Sequence, residues 1–248
     1  MLSAGGLRGA AHLGVLRKIL RHHVPVDVMV GVSAGAIIAA YYAAVGLTVN
    51  EMIEDAPVFR GRHIVMHGVT LRATPVLKPF LRRFCGVIPE RLSQLEVGSF
   101  ERLHHGIRQL GIVCHDLIRN QPCYFSTTEH HCARLAEVVR ASAAMPGVLP
   151  ARTMTIGGEA FRLADGGISD SLPMAFARAS GATHLIVSDC RSTVVARPVL
   201  DDRVVYIRPE LDGIRPLRAP GRALMNAVWQ GEAAVTDQVA QQIQSWLD

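Results

Sequence analysis

The stretch Val28-Met29-Val30-Gly31-Val32-Ser33-Ala34-Gly35-Ala36-Ile37-Ile38-Ala39-Ala40 decides how this chain folds. Its left end belongs to the β-branched run Val26 to Val30, which is short enough and apolar enough for a buried strand. Its right end, alanine-rich from Ala36 to Val45 and closed by Gly46, reads as a helix. Taken whole, Val28 to Leu47 is a window of 20 residues without a charge, long enough to cross a bilayer. Gly31, Ser33 and Gly35 interrupt its middle, so the window divides into strand, turn and helix.

That turn carries the first chemical signal. Gly31-Val32-Ser33-Ala34-Gly35 matches the G-x-S-x-G nucleophile elbow, in which glycines permit a sharp strand-to-helix turn that projects the serine from the end of a sheet. Five residues alone recur by chance; the strand before and the helix after make the match specific. Upstream, Met1 to Ser3 reads as the end of a strand, followed by the loop Ala4-Gly5-Gly6-Leu7-Arg8-Gly9 and a helix from Ala10 to His22. Backbone N–H groups of Gly5 and Gly6 can approach an oxyanion there, and Arg8 can bind a phosphate or brace the loop. A dinucleotide-binding reading fails on two counts: Ala4 stands where the first glycine belongs, and Asp27 precedes its strand instead of ending it.

Downstream, Gly111 to His115 and Cys123 to Thr127 read as strands, Leu135 to Ala144 as a helix and Phe161 to Ala164 as a strand ending in Asp165-Gly166-Gly167. Pro173 to Ser180 then reads as a helix, Thr183 to Ser188 and Arg203 to Arg208 as strands, and Arg222 to Leu247 as a terminal helical region. Alternating strands and helices predict a three-layer α/β/α sandwich around a mostly parallel sheet, one domain over residues 1–248. The irregular, proline-punctuated part at about 51–100 is the candidate lid or insertion.

A serine hydroxyl needs a base. His184 is the only histidine after Asp165, which allows a Ser–His–Asp arrangement, yet it opens an apolar strand at the end away from such sites. Asp165 is the better partner, because it closes a strand in a glycine turn where its carboxylate can approach Ser33.

Composition narrows the function. Of 248 residues, 49% are hydrophobic and 19% charged, which excludes a disordered or fibrous chain, and aromatics at 5% leave few platforms for nucleic acid. The formal charge of +5 is carried by arginine, with Lys18 and Lys78 the only lysines. Five cysteines without a CxxC pair, and no recognisable signal segment, suggest reduced thiols and a cytoplasmic protein. Arg82, Arg83 and Arg91 beside Phe80, Leu81 and Phe84 suggest peripheral contact with an anionic membrane.

Four blocks in order, Ala4 to Gly9, Gly31 to Gly35, Ala-Ser-Ala-Ala-Met-Pro at 141–146 and Asp-Gly-Gly at 165–167, resemble those of the patatin-like phospholipases. The resemblance runs from the first residues to about Asp189. It implies a patatin-like fold and a Ser33–Asp165 dyad acting on lipid acyl esters without metal or cofactor; no nucleic-acid partner is expected, on the scarcity of aromatics. It also implies an oxyanion hole at Gly5 and Gly6, Arg8 near the substrate head group, and motif glycines at Gly9, Gly31, Gly35, Gly166 and Gly167. Two departures stand out: Ala4 replaces a usual glycine, and the strand before the loop is nearly absent, which predicts a weakened innermost strand. The competing expectations are a Ser–His–Asp esterase using His184 and a lipid-binding regulatory module with a vestigial site.

Overall fold

The computed structural model describes residues 1–57, 88–129, 132–193, 198–219 and 222–247. Numbered over these residues, the strands are β1 (Val28–Val32), β2 (Gln109–Asp116), β3 (Gln121–Ser126), β4 (Arg152–Ile156), β5 (Glu159–Asp165), β6 (Leu185–Ser188) and β7 (Val204–Ile207). The helices are α1 (Ala10–Arg21), α2 (Ala34–Ala40), α3 (Val49–Asp55), α4 (Ile88–Val97), α5 (Leu135–Ser142), α6 (Met174–Ala179), α7 (Ala223–Ala233) and α8 (Asp237–Gln244). A 3-10 turn, Gly6–Gly9, leads into α1, and α2 runs on into a π-helical turn, Tyr41–Val45.

The sheet has two parts that share β2. β1 pairs with β2 in parallel and β6 pairs with β7 in parallel. Between β1 and β6 lies the short segment Met1 to Ser3, bridged in parallel to both. Four main-chain bonds hold it: Leu2 N to Val30 O at 2.8 Å, Val32 N to Leu2 O at 3.1 Å, Ser3 N to Ser188 O at 3.1 Å and Ser188 N to Met1 O at 3.0 Å. Three residues therefore fill the innermost position. The other part is antiparallel: β3 and β5 both pair with β2, and β4 pairs with β5. This antiparallel wing is larger than strand–helix alternation predicts. The half-polar pattern of β4 hides it from sequence periodicity; the Gly157-Gly158 pair, both at positive φ between two alternating runs, is the hairpin signal that marks it.

β2 is buried over nearly its whole length, as a central strand must be. Leu110, Ile112 and Cys114 point into the larger core beneath α2 and α5, while Val113 faces the opposite core with Phe176 of α6, the period-2 alternation of a strand between two layers. The terminal region predicted as one helical stretch is broken by Thr236, whose hydroxyl caps α8. The charge-free window resolves into β1, the elbow and α2, and among the described residues no helix is long and apolar enough to cross a membrane. Of the segment expected to form a lid, 58–87 lies outside the described residues, as do Phe80, Leu81, Arg82, Arg83, Phe84 and Cys85. The flanking α3 and α4 are clasped by Arg91 Nε on Asp55 Oδ2 at 2.7 Å, so Arg91 is engaged within the protein. Cys114, Cys123, Cys132 and Cys190 are free thiols.

Candidate active site

β2 brings the two candidate catalytic residues together. β3 occupies one edge of β2, so β1 and β5 share the other. β1 runs up that edge and ends with Val32 opposite Val113; β5 runs down it and ends with Asp165 opposite Cys114. The two strands meet head-on at adjacent positions of one template. Ser33 then turns out at φ 55° and ψ −117°, a conformation rare for a residue with a side chain and costing about 1–3 kcal/mol. The elbow closes this tightly only because Gly31 and Gly35 lack side chains: a Cβ on Gly31 would sit 2.4 Å from Gly35 O, and one on Gly35 would sit 2.3 Å from Leu2 O.

The resulting contact is direct: Ser33 Oγ donates to Asp165 Oδ2 at 2.7 Å, with both residues buried. Asp165 Oδ1 accepts from Gly167 N at 2.8 Å, which fixes the carboxylate plane. Burial pushes the Asp165 carboxyl up to about 6, and the bonds from Ser33 and Gly167 pull partly the other way. A carboxylate is a weak base in water; here desolvation moves it towards the range where it can accept a proton near neutral pH.

The third sequence block, at 141–146, acquires a role that sequence reasoning did not assign. Ser142 Oγ accepts from Ser33 N at 2.9 Å and donates to Val113 O at 2.6 Å, and Ala144 O accepts from Asp165 N at 3.0 Å. One helix end thus holds the backbone of both partners. Gly166 lies over Val113 O, Gly167 beside Ala4, and Gly9 against Ala34 at the start of α2.

The glycine loop is anchored from below and behind. The N–H groups of Gly5 and Gly6 donate to no described residue, while Leu7 N is bound to Pro216 O at 2.7 Å. Arg8 is engaged with main-chain carbonyls: Nε with Cys190 O at 2.9 Å, and Nη1 with Leu211 O at 2.7 Å and Ile214 O at 3.0 Å. Fully buried His12 lies between Ser3 O, 3.0 Å from Nε2, and Ser188 Oγ, 2.7 Å from Nδ1. A carbonyl only accepts, so Nε2 carries the proton and Nδ1 receives the serine hydroxyl. Burial lowers the His12 pKa to about 4, keeping the ring neutral. A histidine inside an otherwise apolar helix stripe was the available signal for this brace.

Beside Ser33 opens an apolar cavity lined by Leu7, Leu13, Ile37, Ile38, Tyr41, Leu47, Met52 and Leu224. His184 is not in it: the residue is exposed before β6, with Nδ1 3.1 Å from Thr183 Oγ1 and its ring against Trp246. Among the described residues no three His, Cys, Asp or Glu side chains converge to hold a metal ion.

Comparison with known proteins places the chain. The family model of the patatin-like phospholipases matches residues 1–178. The chain is 31% identical over 200 residues to patatin-like phospholipase domain-containing protein 6 of Mus musculus and of Homo sapiens, a match covering 77% of this chain and 13% of each relative. It is 28% identical over 197 residues to lysophospholipase nte1 of Emericella nidulans, covering 77% of this chain and 12% of that protein. The chain therefore spans a small part of the length of these relatives. Among solved structures, VipD from Legionella pneumophila shares the fold with a TM-score of 0.60 at 15% identity, covering 98% of this chain and 66% of that one. The family match spans most of the sequence and contains all four blocks, and the chain belongs to the patatin-like phospholipases, a family of lipid ester hydrolases.

Proposed function

We propose that this chain is a serine acyl hydrolase that cleaves acyl esters of lipids, in the manner of a lysophospholipase or phospholipase A, through Ser33 and Asp165. The 2.7 Å hydrogen bond between Ser33 Oγ and Asp165 Oδ2 is the observation that carries the reading. Asp165 takes the hydroxyl proton as Ser33 Oγ attacks the ester carbonyl. The N–H groups of Gly5 and Gly6, which donate to no described residue, receive the oxyanion, and Asp165 returns the proton to the leaving alcohol. The acyl group stays on Ser33 Oγ; water, deprotonated by the same carboxylate, attacks that ester, and Asp165 gives the proton back to Ser33 Oγ as the fatty acid leaves. The acyl chain lies in the apolar cavity beside Ser33. Arg8 serves this site by fixing the loop, since its donors meet carbonyls of Cys190, Leu211 and Ile214. Contact with an anionic membrane surface is the setting in which such a cavity would be loaded with lipid.

The test is hydrolysis of a lysophospholipid, a phospholipid and a triglyceride by wild type and Ser33→Ala, with fluorophosphonate labelling of Ser33. Loss of turnover and of labelling in the variant is expected. Full turnover by Ser33→Ala would sink the mechanism, and a wild type that binds vesicles but takes no label would mark a regulatory module with a vestigial site.

A further inference from the structure

An ion pair stands in the lining of the otherwise apolar cavity. Asp55 at the end of α3 and Arg91 in the first turn of α4 line the same cavity as Ser33, with Arg91 Nε 2.7 Å from Asp55 Oδ2 and side chains only 15% and 19% exposed. Arg91 Nη1 is held further by Gln94 Oε1 at 3.2 Å. Charges are costly in such a place unless paired, so the pair marks a limit to the apolar surface.

Its position can be measured along the helix. Ser33, Ile37, Ile38 and Tyr41 follow one another at helical spacing along the cavity wall. Tyr41 is eight residues beyond Ser33, about 12 Å at 1.5 Å per residue. The π-helical turn that begins at Tyr41 packs against α4, the helix that carries Arg91. An extended acyl chain advances about 1.3 Å per carbon, the projection of a 1.5 Å single bond, so roughly nine carbons cover this distance.

We propose that the Asp55–Arg91 ion pair sets the acyl-chain length this enzyme accepts, limiting it to medium chains of roughly nine carbons. The proposal rests on the hydrolase reading above. Each methylene laid on apolar lining strengthens binding about three- to fourfold. A methylene pushed against the pair weakens binding, because it must displace water from charges without replacing it.

The experiment is a kcat/KM series on p-nitrophenyl esters from butyrate to palmitate. Wild type is expected to rise with each added methylene and to fall beyond about ten carbons. The double variant Asp55→Leu/Arg91→Met, which leaves no unpaired charge, is expected to move the optimum at least about four carbons longer. Ile38→Trp, which fills the cavity nearer Ser33, is expected to move it shorter. A wild-type profile that climbs through palmitate overturns the proposal without any variant. So does an unmoved optimum in the double variant, or, if that variant does not fold, in Ile38→Trp. Ser33→Ala separates the two readings: a dead Ser33→Ala with unmoved optima removes only the role of the ion pair, whereas an active Ser33→Ala removes the dyad itself.

Discussion

Ser33 and Asp165 touch, yet the two regions that deliver them store energy in different forms. The elbow stores it in the backbone, at φ 55° on a residue with a side chain. The end of β5 has ordinary dihedral angles, φ −54° and ψ 125° at Asp165, and stores it as a desolvated carboxylate. The serine is therefore presented by local geometry, and the aspartate carboxyl is shifted by burial. The first can be upset by adding a methyl group, the second by removing a charge.

Asp165→Asn tests the electrostatic side and carries the largest expected effect. Loss of the proton acceptor should lower kcat by about a thousandfold, measured on short acyl esters. The same change should stabilise the fold. With the carboxyl near 6 in the native state and an ordinary 3.8 when unfolded, the native form holds its proton longer, so stability falls as pH rises from about 4 to about 6. At pH 7 wild type bears that cost in full, and the variant should gain about 1–3 kcal/mol by denaturant titration. The gain should vanish below about pH 4. A variant that loses activity and stability together would overturn the view that Asp165 is held against its own solvation preference.

Gly31→Ala tests the geometric side. Its Cβ would meet main chain at 2.4 Å, so the elbow must open, and a loss of about 3 kcal/mol or more with collapse of turnover is expected in thermal melts and esterase assays. Ser142→Ala sharpens the comparison because Ser142 serves the serine side directly. Removing its hydroxyl leaves Ser33 N and Val113 O without their partner and should cost about 1–3 kcal/mol, with kcat more affected than KM.

The pH profile follows from the ionised form being the base. kcat/KM should fall about tenfold per pH unit below about 6 and level off above it, in a stopped assay on a neutral ester. A profile flat down to pH 4 would mean that Asp165 is not the proton acceptor. His184→Ala should change turnover by less than about twofold, since its ring rests on Trp246 at the surface. A large loss in a folded variant would restore the Ser–His–Asp alternative.

The elbow was legible because its requirements are local. A β-branched run, two glycines spaced around a serine and an alanine-rich helix lie within twenty residues, and each follows from backbone sterics. The glycine loop and the helix after it were legible for the same reason. Asp165 was a weaker reading from its own neighbourhood, since an Asp-Gly turn is common; its place at a strand end, with an elbow serine that lacked a base, raised it. β4 escaped because half-polar alternation at a sheet edge resembles loop, and α3 and α4 because prolines and short apolar pieces obscure their period. Arg8 illustrates another limit. An arginine in a glycine loop offers the same donors to a phosphate as to carbonyls, and only the docking of Cys190, Leu211 and Ile214 shows which acceptors it meets.

What the amino-acid sequence determined alone is the strand–turn–helix that presents Ser33, the class of fold and the identity of a candidate base. What only the tertiary structure decided is that β1 and β5 end on the same edge of β2 at adjacent residues, that Ser142 and Ala144 hold both ends, and that an ion pair from α3 and α4 lines the cavity. The physical reason is range: dihedral preferences act within a few residues, whereas strand register, desolvation and the closing of a cavity depend on segments that the chain brings together from more than a hundred residues apart.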